Sequence, residues 1–205
     1  MRRAAVDDER IMARVRQGDR EALEMLVRRY ATQLLTFLHR MMADRSEAED
    51  VFQEVWIAIW LKRRSFDTTR RFRPWMYRIA ANRCSDFRRR RRPHLSSAAC
   101  GLAEVLNTCD ADDSLMRHET LQAVEDAIRG LPPAQREVVT LRVYASLTYG
   151  EIADVLETSE TTARSHMSLA LKSLRQRLQP LVESCPPEEL HDDHAPTRRE
   201  YPRHD

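Results

Sequence analysis

Apolar residues recurring every three or four positions constrain this chain most. From Asp19 to about Met42 they fall at Leu23, Leu26, Val27, Tyr30, Leu34, Phe37, Leu38 and Met41. That spacing draws one stripe down a helix and cannot line one face of a strand. Glycine agrees with it: four residues in 205 are too few for the turns of a sandwich or barrel. The expected fold class is all-α, as two small helical domains joined by an acidic flexible linker.

The first domain is expected over 1–92. A short opening helix, capped by Asp7 or Asp8, should end near Gly18. A second helix is read after Ser46 as N-cap, with Glu49 completing a capping box, burying Val51, Phe52, Val55, Trp56 and Ile59. After a loop near Arg63–Arg71, a further helix sets Phe72, Trp75, Met76, Ile79, Ala80 and Phe87 on one side. Residues 93–113 turn small, polar and acidic and read as the linker. Helices resume near Ser114, break at Gly130-Leu131-Pro132, and restart with Pro133 in a first turn. The second domain is expected over 114–180, and a proline-rich tail without fixed fold over 181–205.

Charge is unevenly placed along the chain. Residues 1–92 carry 23 Arg and Lys against 13 Asp and Glu, whereas 93–127 carry one against seven. Residues 60–92 alone hold 13 basic and two acidic side chains. Within them Arg70-Arg71-Phe72-Arg73-Pro74-Trp75-Met76-Tyr77-Arg78 interleaves arginines with rings, and Arg88 to Arg92 are consecutive. Rings can stack on bases while arginines hold phosphates, a pattern suited to single-stranded nucleic acid. Taken singly, Phe72 and Trp75 read rather as core, with the arginines as a solvated face. Five arginines in a row repel one another unless an anion screens them.

Residues 148–178 show the pattern of a helix-turn-helix. Thr148 caps a short helix with Ala153 at the crossing, Glu157-Thr158-Ser159 turns, and Ser159 caps a longer helix. The longer helix would offer Thr161, Thr162, Arg164, Ser165 and His166 to a major groove. An ordinary helical hairpin is the plain alternative. Glu47, Asp50 and Glu54 share a helical face. No Glu-x-x-His partner helix accompanies them, so the face reads as a docking surface for a basic partner, or simply a solvated face, rather than a metal site. Cys185, His191 and His194 match no standard zinc spacing. Cys84 reads as a small hydrophobe, and Cys100 and Cys109 carry no specific signal. No catalytic signature or phosphate loop is present. The expectation is therefore no enzyme, no metal and no cofactor. With no secretory signal and no apolar run near the roughly 18 residues of a membrane span, a cytoplasmic protein without membrane insertion is expected.

In order, these pieces resemble the sigma-70 family of RNA polymerase initiation factors, in its small extracytoplasmic-function (ECF) subfamily. Ala48-Glu49-Asp50-Val51-Phe52-Gln53-Glu54-Val55-Trp56 is similar to region 2.2, and Phe72 to Asn82 with Asp86 and the arginines to regions 2.3 and 2.4. Leu131-Pro132-Pro133-Ala134-Gln135-Arg136 and Leu147-Thr148-Tyr149-Gly150-Glu151-Ile152-Ala153 are similar to region 4. The resemblance covers roughly 10–92 and 114–178. It implies a factor that binds the RNA polymerase core, at the β′ clamp and β flap, and directs promoter recognition and opening.

On that resemblance Asp50, Gln53, Glu54 and Trp56 would bind polymerase. Arg73, Trp75, Tyr77, Asn82 and Arg83 would contact the single strand of the minus-ten element, with Arg88, Arg89, Arg90, Arg91 and Arg92 on phosphates. Thr161, Thr162, Arg164, Ser165, His166 and Lys172 would read the duplex minus-thirty-five element. A cognate anti-sigma factor is implied as a further partner. Two features depart from the family pattern: Ser168, Leu169 and Leu171 stand where basic residues are usual, and Glu157 where the turn often has glycine. The rival readings are a stand-alone helix-turn-helix regulator of duplex DNA and a non-catalytic helical interaction protein.

Overall fold

The computed structural model describes residues 2–42, 44–91 and 113–184, and among them eight α-helices, one short 3-10 turn (Arg63–Ser65) and no strand. Helices α1 (Arg2–Arg16), α2 (Arg20–Met41), α3 (Arg45–Lys62) and α4 (Phe72–Arg91) form the first unit. Helices α5 (Asp113–Arg129), α6 (Pro133–Val143), α7 (Tyr149–Leu156) and α8 (Glu160–Ser184) form the second. The expected linker, apart from Asp113, and the tail from Cys185 onward lie outside the described residues, with Cys100, Cys109, His191 and His194.

Local chemistry explains most boundaries. Gly18 (φ 97°) turns the chain out of α1 in a left-handed conformation that suits glycine. Asp19 then caps α2, its carboxylate accepting from the Ala22 amide at 3.0 Å and from Arg14 Nε at 2.9 Å. Pro133 occupies the first turn of α6. Thr148 and Glu151 form a reciprocal capping box at the start of α7.

Three boundaries differ from the sequence reading. Asp8 caps nothing: it lies within α1, 4% exposed, where Arg29 and the Tyr30 hydroxyl both bond its carboxylate. A buried carboxylate is tolerated only with such partners. The cap of α3 is Asp44 rather than Ser46. The Asp44 carboxylate accepts from both the amide and the hydroxyl of Ser46 at 2.8 Å, and Glu49 pairs with Arg45 instead of closing a box. Aspartate caps as well as serine and adds a charge that the helix dipole favours. Lastly, α8 continues through Pro180 to Ser184, past its expected stop near Leu178. A proline removes its own amide's bond and crowds the carbonyl four residues before it, but the residues after it can still keep helical geometry.

The core is built around α4, which packs on α1, α2 and α3. Phe72, Met76, Tyr77, Ile79, Ala80 and Cys84 are buried there. Phe37 meets Tyr77 edge-on at 5.3 Å, and Tyr30 and Phe66 lie 5.6 and 6.2 Å from Phe72. Burial pushes the Cys84 thiol up to about 12. It therefore stays protonated and packs as a small hydrophobe. The buried cluster does not stop at the unit boundary: Val138, Leu141, Ala145, Leu147, Ile152, Val155 and Ala163 continue it into the second unit.

Truncating the ring that α2 inserts against Tyr77 should test this packing. Phe37→Ala is expected to cost about 3–5 kcal/mol in urea unfolding, through lost burial and the cavity left behind.

Candidate nucleic-acid interface

The acidic face of α3 is the simplest part of the site. Asp50, Gln53 and Glu54 are exposed, one turn apart, while Ala48, Val51, Val55 and Ile59 anchor the opposite side. Ile57 and Leu61 extend the exposed face, and both remain open to solvent. Sequence reading missed these two because it assigned apolar residues to the core. Trp56 requires correction as a contact residue. It is 7% exposed, tilted edge-on to Phe52 at 6.2 Å, and supports the face from behind.

Helix α4 carries the basic and aromatic residues, and packing sorts them. Asn82, Arg89 and Arg90 are exposed, and Arg73, Trp75, Arg83 and Arg88 are half-buried. Trp75 leans on Phe66 at 4.9 Å, so part of its ring is core, as the residues taken singly suggested. Tyr77 is the second correction. At 0% exposed, with burial pushing its hydroxyl up to about 12, it presents no surface to a strand. Arg91 closes α4, and Arg92 lies outside the described residues. Arg83 approaches Glu54 at 3.9 Å, so the acidic face of α3 and the basic face of α4 meet along one edge.

In the second unit α7 and α8 form the helix-turn-helix. The turn is built despite its missing glycine: Glu157 adopts φ 54°, ψ 44°, the left-handed conformation. A residue with a Cβ pays about 1 kcal/mol there. The Ser159 hydroxyl accepts from the Thr162 amide at 3.0 Å and caps α8. Ala163 and Ala170 face inward, and Thr161, Arg164, Ser165, Ser168 and Lys172 face solvent. His166 is half-buried. Thr162 bonds back to Ser159 at 2.7 Å and Ser165 to the Thr161 carbonyl at 3.0 Å. Arg164 is folded back onto its neighbours. It pairs with Glu160 at 2.5 Å and lies over the Tyr149 ring at 4.5 Å. Leu169 and Leu171 are half-exposed, at 51% and 50%.

Sequence reading also missed a seam between the units, where α4 packs on α7, and α2 on α5 and α6. Arg71 pairs with Glu151 at 3.0 Å, Arg88 with Glu137 at 2.5 Å, and Arg78 with Glu157. Arg40 pairs with Glu125 at 3.0 Å and lies 3.7 Å over the Tyr144 ring. The one signal in the sequence was the glutamate at a turn position better suited to glycine. No group of three or more metal-ligating side chains occurs among the described residues, and no described helix is long and apolar enough to cross a membrane.

Comparison with known proteins follows this geometry. Residues 26–94 match the family profile of sigma-70 region 2, and residues 121–174 that of sigma-70, region 4. The chain is 32% identical over 184 residues to the RNA polymerase sigma-H factor of Pseudomonas aeruginosa, covering 85% of this chain and 95% of that one. It is 31% identical over 184 residues to the ECF RNA polymerase sigma-E factor of Escherichia coli, covering 85% and 96%. Among solved structures, CnrH in complex with the cytosolic domain of CnrY superposes with a TM-score of 0.65 at 25% identity, covering 84% of this chain and 97% of that one. RpoE of Bartonella quintana, solved with the anti-sigma factor NepR, shares the fold with a TM-score of 0.65 at 22% identity, covering 76% and 96%.

Glu151 links the cap, the seam and pH. Burial pushes its carboxyl up, but hydrogen bonds from the Thr148 amide and hydroxyl, with the Arg71 guanidinium, outweigh that and hold it below its ordinary 4.5. A depressed carboxylate contributes stability above its unfolded value and loses it as pH falls through the folded one. The stability gap between the natural chain and Glu151→Gln, read from urea midpoints, should therefore be widest near neutrality. It should narrow below about 4.5. A gap unchanged with pH would show that the carboxylate's charge contributes nothing there.

Proposed function

We propose how a chain that belongs to the sigma-70 family of RNA polymerase factors, among its ECF members, divides its work between two helical units. As an ECF sigma factor it binds polymerase and directs promoter recognition in transcription initiation. In our reading Asp50, Gln53 and Glu54 meet a basic surface of the polymerase clamp. Arg73, Trp75, Asn82, Arg83 and the arginines from Arg88 onward take the opened minus-ten strand. Arg164 and Ser165, with Thr161, Thr162, His166 and Lys172, read the minus-thirty-five duplex.

One observation carries this reading: a single unit presents an exposed acidic face on α3 and a partly buried basic face on α4 that meet at Glu54 and Arg83. The acidic face repels phosphate and suits a basic protein surface. The basic face, with Trp75 and Asn82, suits a strand whose bases are out of the stack. A stand-alone duplex regulator would have no use for the α3 face. Chemistry belongs to the polymerase in this scheme, so the chain itself is not an enzyme, and it acts in the cytoplasm where polymerase is. CnrH is bound by the cytosolic domain of CnrY, and a comparable cytosolic anti-sigma partner belongs to the same reading.

Docking is tested by charge reversal. Asp50→Arg should abolish capture of polymerase core in a pull-down while circular dichroism stays helical, because a like-charge contact costs several kcal/mol. Undiminished capture by the folded variant would remove the assignment.

Base reading is tested separately at the recognition helix. Arg164→Ala in the full chain should cost about 1–3 kcal/mol of promoter affinity and relax specificity at one or two base pairs. Lys172→Ala should weaken all duplexes about equally and reduce the salt slope by about one. Unchanged sequence preference in the Arg164 variant would mean that α8 meets the groove in another orientation.

A further inference from the structure

We infer that Glu9 of α1 is a positioning residue for strand binding: its carboxylate caps α4 from 63 positions away and fixes the turn that carries Arg73 and Trp75. The inference rests on the assignment of α4 to the minus-ten strand. Helix α4 opens on Phe72-Arg73-Pro74-Trp75 behind Arg70 and Arg71, with no acidic residue in its first turn. Neither preceding arginine has a side-chain oxygen to cap with, and their charges oppose the helix dipole. Asp67, the nearest carboxylate in the chain before it, is engaged with the amide and hydroxyl of Thr69 at 2.9 and 2.7 Å. The Phe72 amide instead donates to Glu9 Oε1 at 3.2 Å, in a partly buried contact. Glu9 supplies both the missing acceptor and the negative charge that a helix start favours.

Glu9 is a fixed point because its neighbour is fixed. Asp8, nearly buried, accepts from Arg29 and from the Tyr30 hydroxyl of α2. Burial and the Asp8 carboxylate push that hydroxyl above its ordinary 10, so it stays a donor. The Tyr30 ring lies 5.6 Å from Phe72, and the Phe72 ring 6.2 Å from Trp75. Consecutive carboxylates of α1 thus act on one residue of α4: Asp8 places the ring that packs on Phe72, and Glu9 holds the Phe72 backbone. Without the second bond the first turn frays, and Arg73 and Trp75 leave their set directions for part of the time. Apparent affinity for a strand then falls with the fraction of molecules in which the turn is in place.

The test uses the full chain bound to polymerase core and a labelled single-stranded DNA of mixed sequence, about 12 nucleotides long, within the range such sites cover. Core alone is the blank. Glu9→Ala should bind the strand about three- to tenfold more weakly, the effect of one net hydrogen bond. Glu9→Gln keeps an acceptor oxygen at the same reach and should return to within about twofold of the natural chain. Glu24, exposed on α2 and bonded to Arg28 at 2.6 Å, serves as the control. Glu24→Ala removes the same charge and should bind no more weakly than the natural chain. The sign is diagnostic, because losing a carboxylate tightens phosphate binding where charge alone counts.

Two further readouts separate positioning from general damage. Core capture should be equal for all four proteins, and amide exchange over residues 70–75 should quicken in Glu9→Ala and slow again in Glu9→Gln. Strand binding by Glu9→Ala as tight as that of the natural chain would overturn the inference. A glutamine variant as weak as the alanine one would overturn it too, and so would loss of core capture in parallel with loss of strand binding. A natural chain that adds no strand binding to that of core contradicts the assignment of α4 itself. In that case the exchange over residues 70–75 still decides whether Glu9 fixes the turn.

Discussion

Everything else in this structure depends on α4 being two-sided. Its inner row, Phe72, Met76, Tyr77, Ala80 and Cys84, holds the first unit together. Its remaining surface is crowded with arginines that carry little packing of their own. A fully buried aromatic contributes about 2–3 kcal/mol by area alone, whereas an exposed ion pair contributes at most about 1 kcal/mol. The fold is therefore fixed by the apolar row, and the arginines are left to exchange partners. That difference in energy lets one helix be both a structural spine and a binding surface.

The second unit applies the same economy at its turn. Thr148 and Glu151 start α7 and the Ser159 hydroxyl starts α8, so both helix ends are satisfied by local side chains. Between them Glu157 keeps a conformation that a glycine would hold without cost. A helix-turn-helix needing only its own geometry gains nothing from a glutamate there. Its place on Arg78 gives the choice a reason outside the motif. Across the seam the buried cluster is continuous, so the units are tied by apolar contact as well as by exchangeable charges.

The sequence made legible what repeats or caps locally. Helical periodicity, Asp19, Pro133, Thr148 and Ser159 all act within one turn of themselves, and the exposed face of α3 follows from spacing alone. Residues whose partners lie far along the chain escaped. Asp8 reads as a cap until Arg29 and Tyr30 fold against it. Trp56 and Tyr77 sit in motifs rich in functional residues, yet neighbouring helices cover them. Nothing in a one-dimensional pattern distinguishes an aromatic that stacks on a base from one that stacks on Phe37 or Phe52. The seam was least legible, because it joins residues 49 to 85 positions apart through pairs that each look like an ordinary solvated charge.

The central claim is that the exposed face of α3 is the surface offered to polymerase. Amide hydrogen exchange on the full chain, alone and with polymerase core, tests it directly. The account predicts slower exchange across Arg45–Lys62 on core binding. Unchanged exchange in α3, with protection confined to α8, would contradict it.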